Sequence, residues 1–88
     1  MKIIELNYNP SFKDLENIYD ENADHKEEIC LNFTNGMKLY LQRKYTYKGS
    51  NVVKTNYLHG TLFLKDGRVH SYIKQQKDKS FKTSSYYR

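Results

Sequence analysis

The spacing of apolar residues changes along the chain, and each change marks an element. Ile3, Ile4 and Leu6 alternate loosely within Met1–Tyr8, which predicts a short first strand. Asn9-Pro10-Ser11 supplies a cap candidate and a proline suited to a first helical turn. Phe12, Leu15, Ile18 and Tyr19 then recur at helical spacing, while Lys13, Asp14, Glu16 and Asp20 face elsewhere. One amphipathic helix follows, with Phe12, Leu15 and Ile18 directed at the core. The period lapses in the acidic stretch Asp20–Glu28.

From Glu28 the period becomes two. Ile29, Leu31 and Phe33 share one face, and Asn35-Gly36 reads as a two-residue hairpin turn whose positions both need positive φ. In Met37–Tyr47 the set Met37, Leu39, Leu41 points one way and Lys38, Tyr40, Gln42, Lys44 the other. Tyr45 and Tyr47 continue the face of Leu39 and Leu41, an assignment a bulge would invert. Lys48-Gly49-Ser50-Asn51 predicts a second turn and Val52–His59 another strand, with Gly60 a bulge candidate. Asp66-Gly67 joins Thr61–Lys65 to Arg68–Lys74 as a further hairpin. Gln75–Arg88 is polar and lysine-rich, and reads as a basic tail in preference to an edge strand. The expectation is an α+β fold in a single domain, 1–88, with one helix packed on an antiparallel sheet of about five strands in the order β-α-β-β-β-β.

Length and composition narrow the function classes. A chain of 88 residues holds one core and buries roughly 60 to 65% of its unfolded surface, which leaves little room for a deep substrate cavity. A single cysteine, Cys30, excludes an internal disulfide framework, and the first ten residues lack the pattern of a secretory signal. The chain therefore reads as a soluble cytoplasmic protein with no membrane partner, in the cytoplasm of the host cell if phage-encoded. Nine tyrosines and four phenylalanines, without tryptophan, suit both half-buried sheet positions and contact surfaces.

Charge is segregated along the chain. Met1–Gly36 carries eight carboxylates against three lysines, a balance of −5, whereas Met37–Arg88 carries twelve cations against Asp66 and Asp78, a balance of +10. Such polarity speaks to partners and association. A sheet covered on one face leaves the other in water, and here the solvent-side alternation reads Lys38, Tyr40, Lys44 on one strand and Arg68, His70, Tyr72, Lys74 on another. Cations interleaved with tyrosine can follow phosphates and stack on bases. These seven residues are the candidate partner- or nucleic-acid-binding site.

Other constellations carry less. Asp20, Asn22 and Asp24 occupy the first, third and fifth positions of a calcium loop, but His25 stands where glycine is needed and Leu31 where a bidentate glutamate belongs. His25, His59, His70 and Cys30 match no metal-ligand spacing. No metal, no cofactor and no catalytic activity is expected.

In size and in its Asn/Lys/Tyr-rich character, the chain resembles the small accessory proteins of phages and mobile elements, including anti-CRISPR and other anti-defence inhibitors. The resemblance is one of general character across the chain, and because those inhibitors share no common fold or signature it transfers no functional residue. It implies stoichiometric action on a host protein or nucleoprotein complex, with the basic sheet face engaging the nucleoprotein or an acidic protein surface, and the basic half departs from the acidic DNA-mimic style. Two further readings stand beside it. One is direct, weakly specific binding of single-stranded RNA or DNA. The other is self-association of the acidic helix region with the basic sheet of a second copy.

Overall fold

The computed structural model describes residues 1–23, 27–48 and 51–85. In order the elements are β1 (Lys2–Leu6), α1 (Phe12–Asn22), β2 (Ile29–Phe33), β3 (Lys38–Lys48), β4 (Asn51–Phe63), β5 (Val69–Gln75) and β6 (Phe81–Ser85). The strands form one six-stranded sheet in sequence order. The fold is α+β, with one more strand than the apolar period predicts.

The helix begins where the sequence places its cap. Ser11 Oγ accepts the Asp14 N–H (3.1 Å) and Asp14 Oδ2 accepts the Ser11 N–H (3.0 Å), a reciprocal capping box. Pro10 therefore precedes the cap and does not enter the first turn. Because α1 returns the chain over one face of the sheet, β1 and β2 lie side by side and parallel, with Ile4 opposite Leu31. All other pairs are antiparallel.

Alternation divides the sheet into two faces. Leu15 and Tyr19 of α1 pack on Leu6, Ile29, Leu31, Leu39, Leu41, Leu58 and Ile73 to form the core. Phe12, expected in that core, is instead 42% exposed and stacks on Phe81 with ring centroids 4.4 Å apart. Its place at the first turn sets it against β6, whose Phe81 packs on the edge of the core. Arg43 reaches the same face of β3. Its backbone N–H donates to the Tyr19 hydroxyl (3.2 Å), its guanidinium pairs with Asp20 (2.8 Å), and that group also lies over the Tyr19 ring. The Tyr19 hydroxyl donates in turn to the Glu27 carbonyl, tying the helix end to the approach of β2.

Gly60 is not a bulge. It pairs regularly with Leu41 and Ile73, and a Cβ there would lie 2.8 Å from side-chain atoms of both. Glycine is required because two large neighbours fill the space above it. The register shifts elsewhere. Between Tyr45 and Thr46 the partners step from Asn56 to Val53, and between Leu62 and Phe63 they step from Ser71 to Val69. The first shift falls between Tyr45 and Tyr47, within the run where the sequence leaves room for a bulge.

Three hairpin loops share one design. In Thr34-Asn35-Gly36, Lys65-Asp66-Gly67 and Lys77-Asp78-Lys79, the third residue's N–H donates to the carbonyl of the residue before the loop. The residue before each loop also donates its N–H to the carbonyl of the residue after it. The middle Asn or Asp accepts the N–H two residues on, at 3.0 to 3.1 Å in each case. The third residue is left-handed, with φ of +89° at Gly36, +88° at Gly67 and +72° at Lys79. Thus only the glycine of Asn35-Gly36 takes positive φ, as in three-residue hairpins generally. The third loop converts the expected basic tail into an edge strand: Gln75 is buried with its Oε1 accepting the Leu58 N–H (3.2 Å), and β6 pairs with β5 from Phe81 to Ser85. The turn expected at Gly49-Ser50 lies outside the described residues.

Candidate functional site

The face opposite α1 is uncovered. Register carries Cys30, Tyr40, Thr61, Tyr72 and Ser84 across it in one row, from β2 to β6. A second row runs Gln42, His59, Lys74, Lys82. Adjacent strands are about 4.8 Å apart, so Tyr40 and Tyr72 stand roughly 10 Å apart with the smaller Thr61 between them. Lys38 lies opposite Phe63, and Lys44 opposite Tyr57.

Of the residues singled out in the sequence, Lys38, Tyr40, Lys44, Tyr72 and Lys74 are brought together on this face. Two are placed differently. Arg68 sits just before β5, where its Nε pairs with Asp66 Oδ2 at 2.6 Å. His70 is the extra residue of the bulge facing Leu62 and Phe63, and its Nδ1 lies 3.1 Å from Ser71 Oγ. A bulge re-aims side chains, so counting by twos from Lys74 does not carry to His70 and Arg68. The face gains His59, Thr61, Phe63 and Lys82 in their place. The signal for Lys82 was the alternation Phe81, Lys82, Thr83, Ser84, obscured by a loop without glycine.

Two depressions mark this surface. One, of about 540 Å³, is lined by residues that include Lys38, Tyr40, Phe63 and Lys65, with Glu28 at its border. Tyr40 meets Phe63 edge to face at 5.4 Å. The other, of about 440 Å³, is lined by residues that include Lys44, His59, Tyr72, Lys74 and Lys82. Thr61 borders both.

The electrostatics follow from these neighbours. Burial first, then the charges of Lys74 and Lys44, hold the His59 imidazole below its ordinary value of 6.5. Burial pushes the Cys30 thiol above its ordinary 9.0, and the adjacent Cys30 together with burial pushes the Tyr40 hydroxyl above 10.0. Cys30 is therefore a protonated thiol at neutral pH, buried on β2 with its Sγ 3.5 Å from Asn32 Oδ1, rather than an activated nucleophile. Tyr40 presents a neutral ring.

Among the described residues, no group of three or more His, Cys, Asp or Glu is placed to hold a metal ion. Asp20 and Asn22 belong to α1, where Asp20 pairs with Arg43 and the Asn22 amide donates to the Ile18 carbonyl (2.8 Å); Asp24 and His25 lie outside the described residues. Among the described residues, no helix is long and apolar enough to cross a membrane. No protein-family model matches the chain, and no curated protein or solved structure is detectably similar to it.

Proposed function

We propose that this chain acts by binding rather than by catalysis, its uncovered sheet face engaging the phosphate backbone of a nucleoprotein as a stoichiometric inhibitor would. One observation carries the reading. Lys38, Lys44, Lys74 and Lys82 share a face with Tyr40 and Tyr72, and no helix covers it. Lysines there supply cations to phosphates at little desolvation cost, and tyrosine rings supply flat surfaces to bases. The acid balance supports the same partner: α1 carries Asp14, Glu16, Asp20 and Glu21 against Lys13, so the helix's negative charge lies on the layer away from this face, while Glu28 lines the hollow beside Lys38 and Tyr40.

Direct binding of free single-stranded RNA or DNA is the second reading, favoured by the Tyr72 ring, 39% exposed at the edge of the lysine row. Fluorescence anisotropy with labelled single-stranded RNA, single-stranded DNA and duplex DNA at roughly 50 and 200 mM salt separates the two. Binding of a bare strand that weakens steeply with salt supports the second reading. Absence of binding to any bare nucleic acid, with capture of an assembled nucleoprotein that is lost on reversing Lys38, Lys44 and Lys74 to glutamate, supports the first. If neither class binds, or binding survives the reversals, the sheet face is not the contact surface.

A further inference from the structure

We propose that the depression between β4, β5 and β6 is a phosphate-binding subsite that takes one phosphodiester of a single-stranded segment, with the neighbouring base on the Tyr72 ring. The inference rests on the reading of the open face as a nucleic-acid-contacting surface, and it names where a phosphate sits.

The argument begins with register. His59, Lys74 and Lys82 are successive cross-strand partners, so three basic side chains leave adjacent strands side by side, about 4.8 Å apart. Lys44 closes the same depression from β3. Neighbouring cations on one face repel, and sheets ordinarily relieve this with an opposed carboxylate. Here no carboxylate lines the depression, and none of these lysines forms an ion pair among the described residues. Among the described residues, the charged and titratable groups around His59 are Lys44 and Tyr40 on β3, Lys74 and Tyr72 on β5 and Lys82 on β6, with one acid, Glu28, lining a smaller adjoining hollow that also touches Lys44 and His59. The hydroxyls of Thr61 and Ser84 add neutral donors at the border.

These groups suit a tetrahedral anion. Lysine ammonium groups act as mobile point charges, while the imidazole and hydroxyls donate directionally from rigid strands. In the free protein the surrounding lysines and burial keep His59 neutral near pH 7. An anion seated among them reverses the balance, so phosphate binding takes up a proton at His59. Tyr72, one row from Lys74, presents its ring at the rim. A strand whose phosphate occupies the depression can lay its next base there, and a lone phosphate cannot use that ring.

The test is a titration of the full chain followed by NMR at the His59 ring and the backbone amides of residues 59, 74, 82 and 84. The probes are inorganic phosphate, a six-nucleotide oligothymidylate and a hexa-aspartate peptide. Inorganic phosphate is expected to shift these resonances at millimolar concentration and to raise the His59 titration midpoint. The oligonucleotide is expected to shift the same set at lower concentration. Lys74→Gln with Lys82→Gln should weaken the oligonucleotide roughly 5-fold at 0.1 M salt, as expected for one lost phosphate contact. Tyr72→Ala should weaken the oligonucleotide and leave inorganic phosphate unchanged. Unshifted amides elsewhere in each variant establish that it folds. If the oligonucleotide shifts residues near Lys38, Tyr40 and Phe63 but not these, the subsite is wrong while the binding face stands. If it shifts neither set, the phosphate subsite and direct binding of a bare strand both fall. If hexa-aspartate alone binds here, the ligand is an acidic protein surface and the phosphodiester assignment is overturned.

Discussion

The two faces of this sheet are built from alternate residues of the same strands, yet they treat a cation in opposite ways. On the covered face Arg43 is held by Asp20, by the Tyr19 hydroxyl on its N–H and by the Tyr19 ring, and it serves to fasten the helix to β3. On the open face, one residue further along β3, Lys44 joins Lys74 and Lys82 around a depression lined by no carboxylate among the described residues. Charge counted along the chain sees these residues as equals. What separates a structural cation from a candidate binding cation is whether the fold supplies its counter-charge.

The largest effect expected on this contrast comes from the covered face. Leu41 is fully buried against the core, and Leu41→Ala should cost about 2–5 kcal/mol of folding stability in chemical denaturation while leaving the affinity of the folded protein unchanged. Gly60→Ala should cost about 1–3 kcal/mol, since the added methyl meets Leu41 and Ile73 at 2.8 Å. The double change should cost less than the sum of the singles, because removing the leucine side chain opens room for the new methyl. Additive losses would mean the two do not share one space.

Lys79→Gly should stabilise the chain slightly, by about 0.5 kcal/mol, because the gain from relieving a left-handed lysine is partly offset by the flexibility glycine adds to the unfolded state. A loss of stability would show that the lysine side chain contributes more than its backbone costs.

The smallest effects are those of pH. Hydrogen bonds from Ser80 lower the Asp78 carboxyl below its ordinary 3.8, and the Arg68 N–H and guanidinium do the same for Asp66. Lowered folded values mean that the unfolded chain binds protons more readily. These loops therefore contribute stability above 3.8 that fades as pH falls through the folded values. His59 has the same sign at a higher window: below 6.5 the unfolded imidazole takes a proton that the folded one resists. Thermal melts of His59→Gln should lose the component of acid sensitivity that begins near 6.5.

The same contrast explains what the amino-acid sequence disclosed. The helix was legible because Asn9-Pro10-Ser11 offers a cap and Leu15 and Tyr19 repeat at its period, and two of the three like hairpins were legible because glycine occupies their left-handed position. The third has Lys79 there, so β6 and with it Lys82 read as a tail, although Asp78 sits where Asn35 and Asp66 do. Lys38, Tyr40, Lys44, Tyr72 and Lys74 followed from simple alternation. Arg68 and His70 did not, because a bulge interrupts the count between Ser71 and Val69. Gly60 looked like an irregularity in a strand when its role is to admit Leu41 and Ile73, a tertiary fact with no local signature.

The account is tested most directly by moving the same charge to different faces. Lys74→Glu with Lys82→Glu on the open face and Lys2→Glu with Lys13→Glu on exposed positions of β1 and α1 change the net charge equally. The measurement is affinity across a salt series, by anisotropy of a labelled single strand or, where a bare strand does not bind, by capture of the assembled nucleoprotein. The open-face pair is predicted to reduce the slope of log affinity against log salt by about 0.7 and to weaken binding, while the other pair stays close to the parent chain. Equal losses in both variants would contradict the account, because binding would then follow net charge and not the face that carries it.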